Sequence, residues 1–146
     1  MEFLFKPLNE LTTQQLFSAL KLRQDIFCIE QNCLYPDLDD VDQISTQVVA
    51  LQDNICLATA RIYKDDNNIV HIGRIAVDKN QRNTGLGHQL VKECLDYCHQ
   101  NFNNTPIEIS AQLHLLNYYT KLGFKELGTS YFEDGIPHIK MELAKN

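Results

Sequence analysis

The stretch from His71 to Cys98 limits the fold more than any other part of the chain. His71-Ile-Gly-Arg-Ile-Ala-Val77 reads as an apolar strand, followed by a short polar link, Arg82-Asn-Thr-Gly85-Leu-Gly87, and then a helical pattern. Glycines let a backbone approach a ligand closely, and a helix start offers unpaired N–H groups at the positive end of its dipole. The joint therefore suits an anion such as a pyrophosphate. Arg82 adds a fixed positive charge beside it. A dinucleotide fingerprint fails because Leu90 stands where a third glycine is needed, and a P-loop fails because no Gly-Lys-Ser/Thr follows. What fits is R-x-x-G-x-G after a strand ending at Val77.

The 146 residues match one ordinary domain, so a single domain over 1–146 with one core is expected. Hydrophobic and charged fractions of 44% and 22% are globular values. No apolar run reaches the length of a membrane span, and Met1-Glu-Phe-Leu-Phe-Lys-Pro7 lacks the order of a signal peptide, so a cytoplasmic protein without membrane attachment is expected. A net charge of −6 works against non-specific nucleic-acid binding and confines any polyanion site to a local pocket. The five cysteines are odd in number and lack paired C-x-x-C spacing; neither a disulfide framework nor a metal site is expected. Cys94 and Cys98 fall on the apolar stripe of their helix and read as small buried residues.

In chain order, Glu2 to Leu8 reads as a short edge strand stopped by Pro7. Thr12 or Thr13 caps a helix running toward Glu30, with Leu16, Phe17, Leu20 and Phe27 as its buried face. Arg23 lies on that stripe and reads as a structural ion pair before a substrate contact. Asp37-Leu-Asp-Asp-Val-Asp42 lacks the EF-hand pattern; it reads as a solvated acidic loop or, at a pocket rim, as a lure for a cationic amine. Thr46 to Gln52 and Ile55 to Tyr63 form a hairpin around Asp53-Asn54, and Ile69 to Val77 is a central strand. The helix after Gly85 buries Leu86, Leu90, Val91, Cys94, Leu95 and Cys98. Ile107 to Ala111 is a strand parallel to the one before that helix. Leu113 to Leu122 is a helix capped by Gly123, and Lys125 to Phe132 and Pro137 to Leu143 close the chain as strands. The order β-α-β-β-β-α-β-α-β-β is an α/β fold with a central mixed twisted sheet of about seven strands flanked by helices.

This order, with R-x-x-G-x-G between the fourth strand and its helix, resembles the GNAT superfamily of acyl-CoA N-acyltransferases. Tyr118-Tyr-Thr-Lys-Leu-Gly-Phe124 is similar to a second motif of that family. Leu22-Arg-Gln-Asp-Ile-Phe27, Glu30-Gln-Asn-Cys33, Gly73-Arg74, Ser110-Ala-Gln112 and Glu133-Asp-Gly-Ile-Pro-His138 resemble the ElaA-like branch. Where many members place Asn seven residues before the motif tyrosine, this chain has Gln112.

The resemblance implies transfer of an acetyl group from acetyl-CoA to a primary amine of a small molecule or peptide. Backbone groups of Ile75, Ala76 and Val77 would hold the pantetheine, an N–H of Ile75 or Ala76 would stabilise the thioester oxygen, and Gln112 is a further coenzyme contact. Asn83, Thr84, Gly85, Leu86 and Gly87 would donate N–H groups to the pyrophosphate beside Arg82. Tyr119 aligns with the general acid, with Tyr118 left to packing; Glu30 and His138 are the candidate bases. The alternative is a non-catalytic acyl-CoA-binding regulatory module. Edge strands of this fold are open to pairing in a homodimer.

Overall fold

Among residues 1–144, which the computed structural model describes, seven strands form one sheet. They are β1 (Glu2–Pro7), β2 (Thr46–Gln52), β3 (Ile55–Lys64), β4 (Val70–Val77), β5 (Ile107–Gln112), β6 (Lys125–Glu133) and β7 (Ile136–Leu143), in the order β1-β2-β3-β4-β5-β7-β6. Only β4 and β5 run parallel. The helices are α1 (Thr13–Arg23), continued by a π-helical segment Gln24–Glu30, α2 (Val41–Ile44), α3 (Leu86–Asn101) and α4 (Leu116–Lys121). Asp53 and Asn54, at φ 53° and 64°, make the expected β2–β3 turn.

Successive residues of a strand point to opposite faces, so β2 is buried on both. Val48 and Ala50 lie in the cluster that contains the α3 stripe, and Val49 and Leu51 in the cluster that contains Ala19, Leu22 and Ile26. The six expected α3 positions are all buried. α1 departs from expectation: Thr12 caps it in a reciprocal pair with Gln15, but Phe17 is 57% exposed and the buried positions are Ala19, Leu22, Arg23 and then Ile26. These follow helical spacing, yet one of the four is arginine, so hydropathy picked the flanking stripe.

Two features open the sheet at its centre. β4 and β5 pair only at Val70–Ile107 and His71–Glu108; farther along, β5 bonds β7 instead. In β4 a bulge sets Arg74 and Ile75 opposite the single residue Ala60, between the pairs Arg61–Gly73 and Thr59–Ala76. Arg74 sits at φ 48°, a conformation few side chains adopt.

Candidate active site

Where β4 and β5 part, a cavity of about 590 Å³ opens. Ile75, Ala76 and Val77 of β4, Gln112 of β5, Tyr119 of α4, and Arg82, Gly87, Glu30 and His138 all line it. Of the residues expected to hold a coenzyme, Asn83, Thr84, Gly85 and Leu86 form the turn next to this wall and not the wall itself. Asn83 and Gly85 take φ of 63° and 88°, and the Leu86 side chain is in the core, which leaves its main chain to face a ligand. Thr84 Oγ1 donates to the Gln81 carbonyl and accepts from the Leu86 amide at 3.4 Å. The Gln89 amide is the first to bond back into the turn, at the Gly85 carbonyl. The amides of Gly87 and His88 have no partner among the described residues, as the first turn of a helix requires. A Cβ on Gly87 would meet Val77 Cγ2 at 3.5 Å, an ordinary contact, so the chain's own packing does not demand glycine there.

Arg82 is held by Glu30 from across the cavity, Nη1 donating to Oε1 at 2.6 Å and Nη2 to Oε2 at 2.5 Å. These bonds, with the Arg82 charge, hold the Glu30 carboxyl below its ordinary value and raise the guanidinium in turn. Tyr119 is 5% exposed, edge-on to Tyr118 and Phe124, and no described residue bonds its hydroxyl. Burial pushes its phenol up, with smaller contributions from Tyr118 and Cys94. Tyr118 does more than pack: its hydroxyl shares a 2.9 Å hydrogen bond with His88 Nδ1.

His138 is buried. Its Nδ1 lies 2.7 Å from the Ile136 carbonyl, which can only accept, so Nδ1 carries a hydrogen and, in the neutral ring, the lone pair is on Nε2. Nε2 stands 3.5 Å from Glu133 Oε2, Tyr131 lies near-parallel to the ring, and the Tyr131 hydroxyl bonds Ser110. No spacing in the sequence joins Ser110, Tyr131 and Glu133 to His138; the β5–β7 and β6–β7 registers do.

The acidic loop is exposed at Leu38, Asp39 and Asp40, but three of its four acids are held by arginines. Arg23, 1% exposed, donates to Asp37 Oδ2 at 2.9 Å and to both Asp42 oxygens at 2.7 and 3.1 Å. Arg61 takes Asp39 at 2.6 Å and lies 3.3 Å from Asp42. Burial alone would raise the Asp42 carboxyl; the bonds and charge of Arg23, the Asp39 amide and Arg61 overcome this and hold it at about 2. The expectation of a structural ion pair for Arg23 is met. Only Asp40 of the four acids is left outside the network.

Residues 14–145 match the acetyltransferase (GNAT) domain family. Protein ElaA of Escherichia coli is 37% identical over 137 residues, 91% of this chain and 90% of that one. A UPF0039 protein of Schizosaccharomyces pombe is 34% identical over 145 residues, covering 98% and 97%. The crystal structure of an acyl-CoA N-acyltransferase from Pseudomonas aeruginosa superposes with a TM-score of 0.93 at 34% identity, over 99% of this chain and 100% of that one. On these matches the chain belongs to the GNAT superfamily, as an ElaA-like N-acetyltransferase.

Proposed function

We propose that the protein carries an acetyl group from acetyl-CoA directly to a primary amine of a small molecule or peptide. The observation that supports this most is the continuity of one cavity from the amides of Gly87 and His88, along the bulged edge of β4, to Tyr119 and His138. The coenzyme supplies an activated thioester when bound. The Gly87 and His88 amides, with Arg82, suit its diphosphate. The edge of β4 from which β5 has turned away suits the pantetheine arm, and an N–H of Ile75 or Ala76 there donates to the carbonyl oxygen as charge builds on it.

His138 is the better placed base, because it lines the cavity and its Nδ1 bonds the Ile136 carbonyl, which leaves Nε2 as the nitrogen to take a proton. Glu30 fits that role less well while Arg82 holds both its oxygens. The amine nitrogen bonds to the carbonyl carbon, His138 takes the amine proton, the C–S bond breaks and its electron pair stays on sulfur. Tyr119, kept protonated by burial, donates to that sulfur.

Titration calorimetry with acetyl-CoA, followed by thiol-release assays over a panel of primary amines, tests the reading. Binding with amine-dependent thiol release is expected. Binding without consumption of any amine would leave a regulatory module, and no binding would remove the reading altogether.

A further inference from the structure

Glu30 and Arg82 reach each other across 52 positions of sequence, one from the end of the π-helical segment and the other from the head of the diphosphate loop. The end-on fork of the guanidinium is fully taken, and Nη2 also leans on the Val77 carbonyl at 3.4 Å. A diphosphate oxygen pair seeks that same planar fork and brings more negative charge than a carboxylate. The pair is also cheap to open, since its side chains are 42% and 34% exposed.

Glu30 differs from its neighbours in what happens next. Asp37, another acid lining the cavity, is neutralised by Arg23 and Arg74. Glu30 bonds only Arg82 among the described side chains, and Lys79 is the other cation whose charge reaches it. Taking Arg82 away leaves a carboxylate lining the cavity, which Glu133 and Asp134 also line.

We propose that Glu30 is a built-in stand-in for the coenzyme diphosphate: the diphosphate displaces it from Arg82, and the released carboxylate becomes the docking point for a cationic acceptor. This rests on the acetyl-CoA reading above and adds to it that coenzyme binding itself completes the acceptor site. Coenzyme and acceptor then help each other bind, and equally in both directions.

The test uses coenzyme A and 1,4-diaminobutane as probes, in titration calorimetry on the wild type, Glu30→Gln, and Asp25→Asn. The last removes the same charge from the same helical segment, where it pairs Lys21 and not Arg82. Coenzyme A should bind Glu30→Gln about two- to fivefold tighter than wild type, the loss of one exposed ion pair that must otherwise be broken, while Asp25→Asn matches wild type. Wild type saturated with coenzyme A should bind the diamine at least about twofold tighter than free wild type, and Glu30→Gln should show no such gain. Equal or weaker coenzyme A binding by Glu30→Gln would make Glu30 an orienting partner of Arg82 and overturn the proposal, as would a diamine gain that survives the substitution or is missing from wild type. Failure of all three proteins to bind coenzyme A would instead bring down the acetyl-CoA reading beneath it.

Discussion

Arg74 reaches from the bulge of β4 to Asp37, donating from Nε and Nη2 to its carbonyl oxygen at 3.1 and 2.9 Å, with Nε also 3.0 Å from Oδ1. Its Nη2 lies 3.4 Å from Asp39 as well. Three guanidinium groups thus interleave with three carboxylates and cancel their charge. The consequence is mechanical: the loop whose Pro36 and Asp37 line the cavity is tied to the two-residue bulge of β4 beside the gap in the sheet. Wall and gap are set by one polar network, and both depend on Arg74 staying in a left-handed conformation.

Arg74→Gly and Arg74→Ala delete the same hydrogen bonds but differ in backbone cost. Left-handed alanine costs about 1–2 kcal/mol, whereas glycine loses about 0.5–1 kcal/mol more chain entropy on folding. The first effect wins, so the glycine variant should be the more stable of the two by about 0.5–1 kcal/mol in urea denaturation. Equal stabilities would mean that the bulge relaxes when its side chain is removed.

Asp42 gives the network a pH signature. Its folded value of about 2 lies below the ordinary 3.8, so its contribution is fully present above about 4 and is lost as pH falls through 2. The gap corresponds to about 2 kcal/mol. Urea midpoints of the wild type should fall across that window. Asp42→Asn should lose that part of the slope and be less stable near neutrality by about 3 kcal/mol, because buried Arg23 keeps only Asp37 as a charged partner.

How much of this was legible depended on sequence separation. The α3 stripe, the Asp53-Asn54 turn and the strand–loop–helix joint are local, and each is written within a few consecutive residues. The acidic loop looked solvated because its arginines stand 14 to 37 positions away. Arg23 hid the true face of α1, since a buried charge with distant partners cannot be told from an exposed one by hydropathy. The bulge carries no glycine at Arg74 to announce it, and its positive φ is upheld by tertiary bonds. The site was legible as separate residues through motif resemblance; what sequence could not supply was the pairing of Glu30 with Arg82 and of His138 with the Ile136 carbonyl.

The neighbouring tyrosines should separate cleanly. Tyr119→Phe removes a hydroxyl that no described residue bonds, so stability and coenzyme affinity should hold while kcat falls about 100-fold. Tyr118→Phe breaks the bond to His88 and should cost about 1 kcal/mol of stability, with kcat changing by no more than a few-fold. Steady-state kinetics beside thermal unfolding reads both, and an unchanged kcat in Tyr119→Phe would end its role as proton donor.

The two ring nitrogens of His138 can be tested separately. Nδ1 donates to the Ile136 carbonyl, and in the proposed reaction Nε2 is the atom that takes the amine proton. His138→Asn places an amide N–H near the Nδ1 position, keeps the first function and loses the second. Its kcat/KM should fall about 100-fold while its unfolding midpoint and coenzyme affinity stay near wild type. His138→Ala loses both, so it should match the asparagine variant in rate and be less stable than it by about 1 kcal/mol, the loss of one part-buried hydrogen bond. A His138→Asn enzyme that turns over at the wild-type rate would show that the proton leaves by another route, through Glu30 or from an amine that arrives already neutral.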